Sequence, residues 1–186
     1  MERVIKTAVI SLIFNTAAGI SHIILGAASG SLWLFTVGMY YSVLSIIRFT
    51  VLVKRKNRHF LKKFTGFMLI ILSLPLLGTV ILSAVTDRGH VFHEVVMIGI
   101  AVFAFTKITL ASINLIKTRQ STSEKMITLR TVSLASAFVS IFSLQRSMLV
   151  TFDGMSAGEI TIMNIATGTG VCITVFLLGL NLLLRL

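Results

Sequence analysis

Val53-Lys54-Arg55-Lys56-Asn57-Arg58-His59-Phe60-Leu61-Lys62-Lys63-Phe64 packs six of the chain's 17 lysines and arginines into one short run. On either side the sequence turns apolar for about the 20 residues that a helix needs to cross a hydrocarbon core roughly 30 Å thick. A compact basic stretch between two such segments has the composition of a cytoplasmic loop in a polytopic membrane protein. The whole chain agrees. It is 55% hydrophobic and only 12% charged, with a mean hydropathy of +0.97, whereas soluble domains carry about a quarter charged residues.

Six apolar segments can be marked out along the 186 residues, at 6–28, 31–53, 65–85, 91–116, 126–152 and 160–184. They predict an all-α fold: one transmembrane domain over residues 1–186, a bundle of six helices. The first segment follows Arg3 and Lys6, as a signal peptide would. Its length, and the presence of Asn15 and His22, favour a retained first helix. Positive charge alternates from loop to loop. Lys117, Arg119 and Lys125 lie between the fourth and fifth segments, with Arg130 just beyond. The intervening loops carry Arg88 alone. By the positive-inside rule, the basic loops and both termini are expected in the cytoplasm, in what is expected to be a bacterial cytoplasmic membrane.

A net charge of +11 would suggest nucleic acid in a soluble protein. Here the cations gather at the ends of apolar runs, and a single aromatic, Phe60, interrupts the longest of them. The reading is contact with the bilayer, with anionic lipid between Lys54 and Lys63 and between Lys117 and Lys125, and no nucleic acid. Cys172 is the only cysteine, so no intrachain disulfide can form.

Polar and small residues recur at helical spacing. Ser133, Ser136, Ser140, Ser143, Ser147 and Thr151 form one stripe of the fifth segment. Ser11, Asn15, Gly19, His22 and Gly26 form another in the first. The sixth segment carries Thr161, Asn164, Gly168, Cys172, Val175 and Gly179. In lipid such stripes bring helices close together and hydrogen-bond them, or they line a polar cavity. Pro75 is expected to kink the third helix.

Three cations fall within segments. Arg48 lies near the basic end of the second helix and is expected to snorkel out. Arg146 is expected to reach the outer headgroups in the same way. Lys107 is too deep for this, and needs a partner or a wet cavity. Glu94 is the obvious opposing carboxylate. Together these leave the interior positively biased, suited to an anionic or zwitterionic solute. The candidate ligand-binding residues are Lys107, His22, Asn15, Tyr41 and Glu94, joined by Ser140, Ser143, Arg146 and Asn164.

His90, His93 and Glu94, with Asp87 just before them, form the one cluster that resembles a metal site. The order H-x-x-H-E matches neither zinc-protease signature, and the same residues suit the polar interface at a helix N-terminus. No phosphate loop, nucleophile elbow or cysteine–histidine pair is present, so no catalytic residue is assigned and no cofactor is indicated.

In length, helix number and scarcity of extramembrane mass, the chain resembles small bacterial membrane proteins. Among these are the substrate-binding membrane subunits of multicomponent vitamin importers. The likeness is architectural and carries no residue roles. Three functions are compatible with the sequence. One is a small-molecule transporter or the substrate-binding subunit of one, another is a structural or regulatory membrane protein, and the third is a membrane-embedded metal protein or enzyme. Partner subunits or self-association fit each of them.

Overall fold

The computed structural model describes residues 2–53, 58–85, 94–118, 123–151 and 154–184. Six helices account for nearly all of them: α1 (Glu2–Ser29), α2 (Leu32–Val53), α3 (Arg58–Val85), α4 (Glu94–Thr118), α5 (Glu124–Thr151) and α6 (Ala157–Leu184). Each is long and apolar enough to cross a membrane. The chain is therefore a multi-pass integral membrane protein built as an all-α bundle.

The distribution of side chains fits lipid and would not fit water. Ile13, Ile46, Phe105, Ile116, Ile162 and Leu177 are exposed, while Asn15, Arg48, Lys107 and Asn164 are buried. In a bilayer an outward isoleucine costs nothing and an outward amide has no partner. Hydroxyls that do face outward are silenced locally. Thr16, Ser21, Thr36, Thr50, Thr106 and Thr109 each donate to the carbonyl four residues back, at 2.7–3.0 Å.

The turn between α1 and α2 follows from local chemistry. Gly30 adopts φ 63°, and the Ser31 amide donates back to the Gly26 carbonyl at 3.0 Å. That is a Schellman closure, which needs a residue without Cβ at the left-handed position. The two helices then run back along each other at short range. A Cβ on Gly26 would lie 2.5 Å from the Phe35 amide nitrogen, and one on Gly38 would lie 2.7 Å from that of Ile23. Further along, Gly66 of α3 and Gly179 of α6 meet in the same way, each Cβ position less than 3 Å from the other's carbonyl oxygen. At the start of α6, Ser156 and Glu159 form a capping box. The Ser156 amide donates to the Glu159 carboxylate at 2.8 Å, and the Glu159 amide donates to Ser156 Oγ at 3.4 Å.

α5 occupies the centre and packs on α2, α3, α4 and α6. Contacts bring the basic helix ends together. Lys125 Nζ at the start of α5 donates to the Leu52 carbonyl at the end of α2 (3.2 Å). Lys62 at the start of α3 lies 4.0 Å from the Glu124 carboxylate.

The helices outrun the apolar segments that announce them. α3 begins at Arg58 rather than 65, because lysine and arginine are good helix formers that hydropathy excludes. α6 begins at Ala157 rather than 160, where the capping box sets its start. Residues 91–93, where the fourth segment is expected to begin, lie outside the described residues. α3 remains helical through Pro75, and one nearby carbonyl, that of Ser73, takes an additional bond from the Cys172 thiol at 3.2 Å.

These close approaches give a direct test. Gly26→Ala is expected to destabilise the protein by about 1–3 kcal/mol, since backbone must move to admit the methyl group. Gly99→Ala in α4, where an added Cβ meets nothing, is expected to be neutral or to stabilise by about 0.4–1 kcal/mol. Thermal unfolding of both variants in detergent distinguishes them.

Candidate functional site

The site starts from the serine stripe of α5. Ser133, Ser136, Ser140, Ser143 and Ser147 are all buried, 5% exposed or less. Ser133, Ser140 and Ser147 donate their protons to the carbonyls of Leu129, Ser136 and Ser143 at 2.8–2.9 Å. A hydroxyl with its proton committed to its own backbone keeps only lone pairs to offer. The stripe therefore acts as a row of acceptors, and donors from neighbouring helices converge on it.

Three levels can be followed. At the first, Ser133 Oγ accepts from Arg48 Nη2 of α2 at 3.2 Å and from Asn114 Nδ2 of α4 at 3.0 Å. At the second, Ser136 Oγ accepts from Lys107 Nζ of α4 at 2.8 Å and donates to Asn15 Oδ1 of α1 at 3.2 Å. At the third, Ser140 Oγ lies 2.8 Å from the Tyr41 hydroxyl. Because Ser140 already donates to Ser136, Tyr41 is the donor. Ser133 and Ser136 are one helical step of three residues apart, roughly 4.5 Å along the axis.

Asn15, Tyr41, Lys107 and Ser136 each sit near the midpoint of their own helix. The second level is thus close to the centre of any bilayer that these helices span.

Aromatic rings close around Lys107. Its Nζ lies 4.9 Å from the Tyr41 ring centroid and 5.1 Å from that of Phe103, in reach of cation–π attraction. His22 joins the same group, with its ring 5.7 Å from Tyr41 and 6.4 Å from Phe103. Its Nδ1 lies 2.8 Å from the Ala18 carbonyl. A carbonyl only accepts, so the proton is on Nδ1.

Two expectations about charge are corrected. Arg48 does not snorkel. It is fully buried, with Nη2 on Ser133 and with Nε and Nη1 lacking any hydrogen-bond partner. Arg146 does not reach outward either. It is 5% exposed and lies 4.5 Å over the Trp33 ring, where cation–π contact replaces the headgroups. In both cases a neighbouring helix lies where lipid was expected.

Of the residues proposed from sequence, Lys107, Asn15, His22, Tyr41 and Ser140 come together around the middle of the serine stripe. Ser143 is buried further along the stripe, and its carbonyl holds Ser147. Asn164 is buried on α6 with its Oδ1 unpartnered, outside the bonds of this group. Glu94 opens α4, 13 residues before Lys107, or roughly 20 Å along the helix. This puts its helical position far from the lysine's. His90 and His93 lie outside the described residues. Among the described residues, no three histidines, cysteines or acidic residues stand together.

Arg48 and Asn114 belong to the site but were not among the candidate residues. Their signal is spacing: in α4, Lys107, Ala111 and Asn114 share a face, while Arg48 lies seven residues beyond Tyr41 on α2.

The chain matches no family model, no curated protein and no solved structure.

The acceptor reading predicts an order among the serines. Ser133→Ala strands two donors and is expected to destabilise by about 1–3 kcal/mol, with Ser136→Ala close behind. Ser147→Ala, whose hydroxyl serves only its own helix, is expected to stay below about 1 kcal/mol. Comparable losses at all three positions, measured by thermal unfolding, would contradict the reading.

Proposed function

We propose that this protein binds a small anionic or zwitterionic solute at the Arg48–Lys107 layer and carries it across the membrane, alone or as the substrate-binding subunit of a larger importer. One observation carries the reading: the buried cations have neutral partners, and donors of Arg48 and Asn15 beside them remain unmet. Arg48 Nε, Arg48 Nη1 and Asn15 Nδ2 are buried without acceptors. Each such group costs about 1–3 kcal/mol while unmet. The chain's six acidic residues lie at helix starts or between helices in the sequence, and among the described residues none supplies negative charge in mid-bundle. Arg48 and Lys107 bond to serines one helical step apart, which holds two like charges near one another. A carboxylate or phosphate from outside would relieve both deficits through charge-assisted bonds. Secondary transporters commonly bind their substrates near the bilayer midplane.

The same reading places the termini and the basic ends in the cytoplasm, by the density of lysine and arginine there. The Arg48 level is then the inner approach to the Lys107 level.

A second reading has support in the close fit around Lys107. Two rings and Ser136 enclose the ammonium, as they would in a purely structural tether joining α1, α2, α4 and α5. A structural or regulatory membrane protein would need nothing more.

Thermal-shift measurements against carboxylates, phosphate, amino acids and vitamins decide between them. A ligand at 100 times its dissociation constant is expected to stabilise the wild type by about 2.7 kcal/mol. Arg48→Gln and Lys107→Met are expected to abolish that shift. If no solute shifts the wild type, and both variants are at least as stable as it, the tether reading stands. Removing buried charge often stabilises when nothing depends on it.

A further inference from the structure

A second cation site lies on the surface of the bundle, apart from the Arg48–Lys107 layer. Between α5 and α6 runs a notch of about 60 Å³, with Arg130 and Thr131 on one wall, Asn181 on the other, and Leu134 and Leu178 among its apolar lining. Among the described residues, neither the Arg130 guanidinium nor the Asn181 amide makes a hydrogen bond or ion pair. Asn181 is exposed, within a run of leucines. Thr131 donates to the Ile127 carbonyl at 3.0 Å, so two side chains, lining the notch from different helices, remain as free donors.

Depth identifies the occupant. A helix of 28 residues is roughly 42 Å long, about 12 Å more than the hydrocarbon core. Each end of α5 and α6 therefore projects by roughly 6 Å. Arg130 lies roughly 9 Å from the start of α5, and Asn181 roughly 4.5 Å from the end of α6. The notch thus straddles the boundary between headgroups and acyl chains. The leucines continue the lining toward the acyl region. Basic residues crowd this end of the bundle, among them Lys62, Lys63 and Lys125.

We propose that this notch is a specific site for an anionic phospholipid, whose phosphate is held between Arg130 and Asn181 and whose acyl chain lies against Leu134 and Leu178. The bond is charge-assisted at Arg130 and neutral at Asn181. The excess positive charge around it selects acidic over zwitterionic lipid.

Native mass spectrometry of the delipidated full chain tests this, with phosphatidylglycerol and phosphatidylcholine titrated in parallel. The wild type is expected to retain one phosphatidylglycerol in preference to phosphatidylcholine. Arg130→Gln is expected to weaken that binding roughly fivefold, the effect of one basic side chain at an anionic surface. Asn181→Leu should weaken it less. Lys63→Gln removes an exposed charge at the same end and should leave the retained lipid in place. Because neither Arg130 nor Asn181 holds the fold together, their variants should melt as the wild type does. Equal losses in Arg130→Gln and Lys63→Gln would reduce the effect to diffuse surface attraction and overturn the site. Displacement of the lipid by millimolar inorganic phosphate would overturn it too, marking an ion site without lipid specificity.

Discussion

Hydrocarbon offers no hydrogen bonds, and the rest of this molecule is arranged around that fact. Backbone groups are satisfied within six long helices. Lipid-facing threonines and serines turn their protons onto the preceding turn. Groups too polar for either solution are drawn inward, where another helix offers them an acceptor. Arg48 on Ser133, Lys107 on Ser136 and Tyr41 on Ser140 are three instances of one rule.

The rule also explains why α5 lies at the centre. It is the most buried of the six spans, and its serines are spaced so that hydroxyls recur along one face. Back-bonding fixes several of those hydroxyls as acceptors. Amides, phenols and cations on α1, α2 and α4 then have one surface on which to converge. The small stripes of α1 and α6 act by a different means. Gly19, Gly26 and Gly179 contribute absence of bulk, so that backbones approach within van der Waals distance. Polar recognition and close packing thus fall to different helices.

Much of this was legible in the sequence. Segment number, the serine stripe and the depth of Lys107 follow from periods of about 3.6 residues and from span length. What was not legible depends on neighbours. Arg48 has a long stem and sits near a basic loop, which on one helix alone reads as snorkelling; only the position of Ser133 on α5, 85 residues away, turns it inward. Arg146 has the same history with Trp33. Helix ends were misplaced because hydropathy locates grease, whereas caps such as Ser156–Glu159 and basic turns such as the start of α3 set where the hydrogen-bonded ladder begins.

The choice of hydroxyl over carboxylate as the cations' partner has a chemical consequence. A buried carboxylate would neutralise Arg48 permanently, and the pair would resist any competing anion with the strength of a low-dielectric ion pair. A serine oxygen satisfies one N–H and leaves the charge in place. The guanidinium keeps two unmet donors, so an anion bound as proposed would displace nothing, and on leaving would return the arginine to a state already tolerated by the fold. The transport proposed above would require reversible binding, and cations held on neutral acceptors would meet that requirement, giving the buried positive charge a reason that packing alone does not supply.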